Sequence, residues 1–211
     1  MRAFIYKSFI FTAVIVVALQ FGGCSGSNNS NATAPTNGVM AGANTNAGAN
    51  TSLSNSSTYP PLALAVANGD LENLDGSKFK VADRKGEVLL LNMWGVWCGP
   101  CRNEMPHLVE MQDKLRDQGF RVIGLNVGDE DHKPESTEKI NKSAAEMKLN
   151  YELVRAPEDV QVGMVAVTKF DGVPQSLLID RSGRLRGVFL GGSPNTITKM
   201  RETVDKVVAE Q

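Results

Sequence analysis

Two cysteines, Cys98 and Cys101, enclose Gly99-Pro100 and directly follow Trp94-Gly95-Val96-Trp97. A Cys-x-x-Cys pair has two common uses: it closes a small disulfide ring, or it supplies half of a tetrahedral zinc site. Zinc needs two more ligands, usually a second tight pair. Besides Cys24 the chain offers only His107 and His132, which are not such a pair, so no metal is expected. If the cysteines open a helix, its positive end and unpaired amides favour the first sulfur as a thiolate. Its pKa would then fall from about 8.5 into a range of roughly 3.5–7.5. Cys98 is on this reading the nucleophile, and Cys101, one turn on and more buried, is the thiol that breaks the mixed disulfide. Pro100 suits a first helical turn, where its missing N–H has no intrahelical partner to lose.

The neighbouring pattern supplies the elements to hold such a pair. Residues 88–93 form a nearly continuous apolar run, expected for a strand buried on both faces. From 98 to 118, Leu108, Met111 and Leu115 recur at helical spacing, and Gly119 is placed to stop the helix. Residues 121–127 read as the next strand, so the order strand, helix, strand predicts a parallel crossover. Before it, 70–81 reads as a short hairpin around Asp75-Gly76. After it come a charged loop (129–135), a helix begun by Ser136 and reaching about 148, and a short strand at 151–154. Strands at 175–180 and 186–190 flank Arg181-Ser182-Gly183 as a hairpin, and 195–209 is a closing amphipathic helix. Residues 158–170 fit helix and strand equally. The sum is an α/β arrangement, a central mixed sheet flanked by helices with an N-terminal hairpin extension.

The ends of the chain read differently. Arg2 and Lys7 precede or flank an apolar run at 9–19, too short for a comfortable membrane span and matching a secretory signal peptide, taken as residues 1–23. Phe21-Gly22-Gly23-Cys24 then resembles a bacterial lipoprotein box, with Phe21 where Leu is usual, and the resemblance implies Cys24 as the lipidation site; an ordinary signal peptide cut near Gly23 and an uncleaved anchor are the alternatives. Residues 25–58 carry no charge and almost no large apolar side chain, so they cannot offset the entropy of ordering. A flexible leash of these 34 residues would have an r.m.s. span of roughly 30 Å. The globular domain is placed at 59–211. A formal net charge of -1 over 211 residues gives no electrostatic case for nucleic acid.

The string Asn92-Met93-Trp94 through Cys101, continued by Arg102-Asn103-Glu104-Met105-Pro106, resembles the TlpA/ResA branch of thioredoxin-like proteins. The resemblance implies a thioredoxin-like fold and thiol-disulfide exchange on protein substrates in the bacterial cell envelope, in the reducing direction, as in cytochrome c maturation. It implies no cofactor beyond the redox-active Cys98-Cys101 disulfide, a membrane protein as electron donor, a lipid anchor and a monomeric domain. Where thioredoxin has a buried aspartate six positions before its nucleophile, this chain has Asn92, which cannot ionise. Glu104 matches an acid that the branch carries just after the second cysteine, and is expected to handle the proton of Cys101. The competing reading makes Glu104 an acid that complements the helix dipole. The family's cis-proline falls on Gly172-Val173-Pro174, with the Val173 backbone as an edge for an extended substrate. Substrate contacts are expected at Trp97, Gly99, Pro100 and Val173, while Trp94 packs inside and Pro106 bends the helix. A disulfide-donating oxidase and a binding module with a static disulfide are the alternatives. A peroxiredoxin would place a hydroxyl residue where Gly95 stands, and a copper chaperone of this type would have three residues between its cysteines.

Overall fold

The structure is a computed structural model that describes residues 58–210. The expected signal peptide, Cys24 and the linker up to residue 57 lie outside the described residues. A short helix α1 (Leu64–Asn68) is followed by strands β1 (Leu71–Asn73) and β2 (Lys78–Phe79), then β3 (Val88–Trp94) and helix α2 (Gly99–Leu115). Next come β4 (Phe120–Asn126), α3 (Thr137–Glu146), β5 (Glu152–Arg155) and α4 (Glu158–Thr168). Strands β6 (Gln175–Ile179) and β7 (Leu185–Leu190) and helix α5 (Pro194–Ala209) complete the order.

One sheet runs β2-β1-β5-β4-β3-β6-β7. β3, β4 and β5 are parallel neighbours, whereas β6 and β7 on one side and β1 and β2 on the other pair antiparallel. Every residue of β3 is buried, because both of its faces are covered. Leu89, Leu91 and Met93 share one core with Val66 of α1 and with Val160 and Met164 of α4. Val88 and Leu90 share the other with Leu108, Met111 and Leu115 of α2 and Met200 and Val204 of α5. At roughly 1.5–3 kcal/mol per fully buried side chain, both layers hold the strand, so its end is a firm platform for whatever follows it. The side-chain alternation that sends Leu90 toward α2 sends Asn92 and Trp94 there too. Two positions of the strand that launches the cysteines therefore face the helix that carries them.

The thioredoxin-like architecture is the one expected, with local differences. Residues 158–170 resolve as a helix over Glu158–Thr168: its acids stand in the first turn, and Val160, Gly163, Met164 and Thr168 are buried at helical spacing. Its β-branched content masks that period in the sequence. α1 has no sequence signature, since five residues are too few to show a period. α2 ends at Leu115 and passes through a 3-10 turn, Arg116–Gln118, to Gly119, whose φ of 78° closes it. Pro106 lies inside α2, and the helix continues across it. Among the described residues no helix is long and apolar enough to cross a membrane.

Candidate active site

β3 delivers the chain at Trp94 to a tight turn, in which the Cys98 N–H donates to the Gly95 carbonyl at 3.1 Å. Cys98 is the N-cap of α2, and the Cys101 N–H donates to Cys98 Sγ at 3.1 Å. The two sulfurs are joined, 2.01 Å apart. On reduction the same amide and the helix amino end would favour negative charge on Cys98. Exposure is 3% for Cys98 and 1% for Cys101, so only an edge of the pair reaches the surface, with Gly99 and Pro100 exposed beside it.

The turn is held from several sides. Arg102 Nη2 donates to the Val96 carbonyl at 2.8 Å, and the Val96 N–H donates to Glu135 Oε2 at 3.3 Å. Glu135 is buried before α3, where it also accepts from Asn126 Nδ2 at 2.7 Å and sits 3.0 Å from Lys139 Nζ. Trp97 folds back over Gly95 and donates from Nε1 to the Gly128 carbonyl at 2.9 Å. A Cβ on Gly95 would meet that indole at 2.6 Å, so the position excludes a side chain. Trp97 remains 41% exposed, while Trp94 is buried in one apolar cluster with Cys98, Cys101 and Met105.

Facing this turn, the Val173-Pro174 peptide bond is cis, and Val173 packs against the cluster that contains both cysteines. β6 starts one residue later, with Gln175 in register with Met93, which brings Pro174 alongside the end of β3. Gln175 is the organiser of that approach: buried, it donates from Nε2 to the Phe170 carbonyl at 3.1 Å and the Gly172 carbonyl at 2.7 Å. Its Oε1 accepts from Thr168 Oγ1 at 2.7 Å. Between Trp97 and Val173 runs a groove of about 290 Å³, lined also by Met93, Val127, Val162 and Val165. A larger cleft of about 630 Å³ lies around Asn126, Glu135 and Arg155 and does not include the cysteines.

Glu104 follows Cys101 by one turn on the same face of α2 and is 2% exposed. Asn92 Nδ2 donates to its Oε1 at 2.5 Å and to Ser176 Oγ at 3.0 Å. Desolvation pushes the carboxyl up from 4.5 to about 7, only partly opposed by the Asn92 amide. A buried acid on the inner face, outside the first turn, is not placed as a surface complement to the helix dipole. It lies on the same helix as the second cysteine, one turn on, with its carboxyl held near neutrality.

Cys98, Cys101, Glu104, Trp97, Gly99, Pro100, Val173 and Pro174 are thus gathered at one end of the sheet. His107 is not among them: it sits on the outer side of α2, with Arg201 Nη2 2.7 Å from its Nδ1. Among the described residues no group of three or more His, Cys, Asp and Glu side chains could hold a metal ion. Ser176, Gln175 and the Asn126-Glu135 pair escaped sequence reading. The available signals were the polar pair Gln175-Ser176, next to Pro174 and ahead of the apolar Leu177-Leu178-Ile179, and the four-residue step from Glu135 to Lys139.

Residues 63–188 match the model of the AhpC/TSA family. The thiol-disulfide oxidoreductase ResA of Geobacillus thermodenitrificans is 30% identical over 129 residues, covering 61% of this chain and 67% of the relative. ResA of Geobacillus kaustophilus gives the same identity and coverage. Among solved structures, a thiol:disulfide interchange protein of the thioredoxin family from Chlorobium tepidum superposes with a TM-score of 0.58 at 23% identity. That superposition covers 72% of this chain and 97% of the other, and shows the shared fold.

Proposed function

Because the chain belongs to the AhpC/TSA family, as a thioredoxin-like thiol-disulfide oxidoreductase of the ResA/TlpA type, we propose that it reduces disulfides in protein substrates outside the cytoplasm. The observation that carries this reading is the Cys98-Cys101 disulfide at the start of α2, facing the cis-proline loop, with a buried acid one turn behind. In the reduced protein the Cys98 thiolate attacks one sulfur of the substrate disulfide. A mixed disulfide forms and the other substrate sulfur leaves as a thiolate. Glu104 in its carboxylate form takes the proton of Cys101, whose thiolate then attacks Cys98 Sγ, closing the internal disulfide and expelling the second substrate sulfur. Two electrons pass to the substrate, which takes up two protons. The protein is left oxidised, with Cys98 and Cys101 joined.

The Trp97-Val173 groove suits an extended substrate segment. Val173, two residues before β6, offers backbone groups as an edge. Gly99 and Pro100 complete the rim. Lipidation at Cys24 and a leash of roughly 30 Å would keep the domain near a membrane dithiol donor that re-reduces it, and disulfide-bonded apocytochrome c is the substrate class the reading favours. Peroxide reduction is not supported, since the place of the peroxiredoxin hydroxyl is occupied by Gly95 under the Trp97 ring.

The deciding experiment is the equilibrium reduction potential of the Cys98-Cys101 couple against dithiothreitol. A value close to that of thioredoxin, about −270 mV, is expected; one near the strongly oxidising end of this fold, about −120 mV, would make the protein a disulfide donor. Mixing with a disulfide substrate should trap a covalent adduct with Cys101→Ser and none with Cys98→Ser. A pair that does not exchange at all would leave only a structural disulfide.

A further inference from the structure

Among the buried donors without a protein partner in the described residues are the Tyr151 hydroxyl and the Trp94 indole Nε1; the others, Arg186 Nε and Arg201 Nε, belong to guanidinium groups already paired through their other nitrogens. Buried donors are almost always hydrogen-bonded, to protein or to an ordered internal water. The two rings converge on one spot. A Cβ on Gly124 would lie 3.1 Å from Trp94 Nε1 and 3.2 Å from Tyr151 Cε2, so the missing side chain leaves room for both. Gly124 is the register partner of Asn92, the residue that holds Glu104. Three elements thus contribute to this region: β3 through Asn92, which holds the carboxyl, α2 through Glu104 itself, and the lead into β5 through Tyr151, whose ring lies beside Gly124, the neighbour of Asn92. Burial first, and then the charge of Glu104, push the Tyr151 phenol well above its ordinary value. It therefore stays protonated, and a donor, wherever Glu104 titrates.

We propose that Tyr151 is a positioning residue for the proton chemistry of the site, its hydroxyl donating to the ionised Glu104 carboxylate through one internal water shared with Trp94 Nε1. The proposal rests on the reading of Glu104 as the proton acceptor of Cys101. Other titratable groups near Glu104 are few. Cys98 and Cys101 lie on its own helix and are joined in the oxidised form. Further along α2 and on the packed α5, His107 and Glu110 associate with Arg201, and Lys114 with Asp205, at the surface.

The test uses the full chain in its oxidised form, with the Glu104 carboxyl stretch followed by infrared difference spectroscopy from pH 5 to 9 and assigned by its loss in Glu104→Gln. Tyr151→Phe keeps the ring and removes the donor, so the ionised form loses support and the midpoint should rise by about one pH unit. Replacing Tyr151 by 3-fluorotyrosine, a stronger donor of nearly the same shape, should lower the midpoint; this arm decides if the phenylalanine variant does not fold. A midpoint that stays put in the folded variants, or moves in the opposite sense, overturns the proposal. Turnover of Glu104→Gln is read separately: normal turnover would remove Glu104 from catalysis while leaving the measured coupling to Tyr151 as it stands.

Discussion

A carboxyl that burial holds near neutrality ties the stability of the fold to pH. Below 4.5 Glu104 is protonated in both the folded and unfolded chain, and its burial carries no ionic cost. As pH rises from 4.5 to about 7 the unfolded chain ionises first, so stability falls across that window. Above about 7 the full cost is present, and a rise of that size corresponds to about 3 kcal/mol. Glu104→Gln, which can still accept from Asn92, should match the parent in urea unfolding near pH 4. It should exceed the parent by about 3 kcal/mol at pH 8. Equal stability of the two at pH 8 would mean that the carboxyl is not desolvated as described. The position of Glu104 was legible because it stands one helical turn after a cysteine; its burial was not. Burial depends on Asn92 and Ser176 lying side by side, and that is a fact of strand register, which no local pattern displays.

The segment that brings Pro174 to the cysteines depends on one side chain. Gln175→Leu would keep the volume but remove two donors and one acceptor, leaving the Phe170 and Gly172 carbonyls and the Thr168 hydroxyl without that partner. The expected loss is roughly 2–4 kcal/mol, since stranded polar groups cost more than the bonds themselves contribute. Turnover with a protein disulfide should fall as the loop loosens. The reduction potential should hold, because the sulfurs and the α2 amino end are untouched. A changed potential would show that the loop, and not α2 alone, sets the redox balance. At this scale sequence reading succeeded where a period or a stop residue was present, as in β3, α2 and the Asp75-Gly76 turn. It stalled at α4, where Val160, Val162, Val165 and Val167 favour strand locally, and only packing against α1 and the sheet decides for helix.

Across the whole molecule, the order of elements and the parallel crossover at its centre could be read from hydrophobic runs, because a three-layer fold imposes a continuous apolar strand between two amphipathic helix layers. The placement of β1 and β2 beside β5 could not, since two- and three-residue strands carry no period. The start of the domain, placed at Tyr59 from composition alone, has a structural counterpart that can be tested. The Tyr59 carbonyl accepts from Arg184 Nη1 at 2.9 Å, and the Arg186 guanidinium stacks 3.9 Å from the Tyr59 ring centre. The Pro60 carbonyl accepts from the Leu185 N–H at 2.9 Å, the Leu62 N–H donates to Gly183 at 3.1 Å, and the Leu62 side chain is buried. Residues 59–62 therefore fasten the β6-β7 hairpin. A chain beginning at Tyr59 should melt with the full-length protein. One beginning at Ala63 gives up the Leu62 burial and these hydrogen bonds, roughly 3–5 kcal/mol, and should melt about 10 °C lower. If the two fragments melt together, the segment is an appendage and the domain starts at α1; if the Tyr59 fragment already melts below the full chain, residues before 59 contribute to the fold.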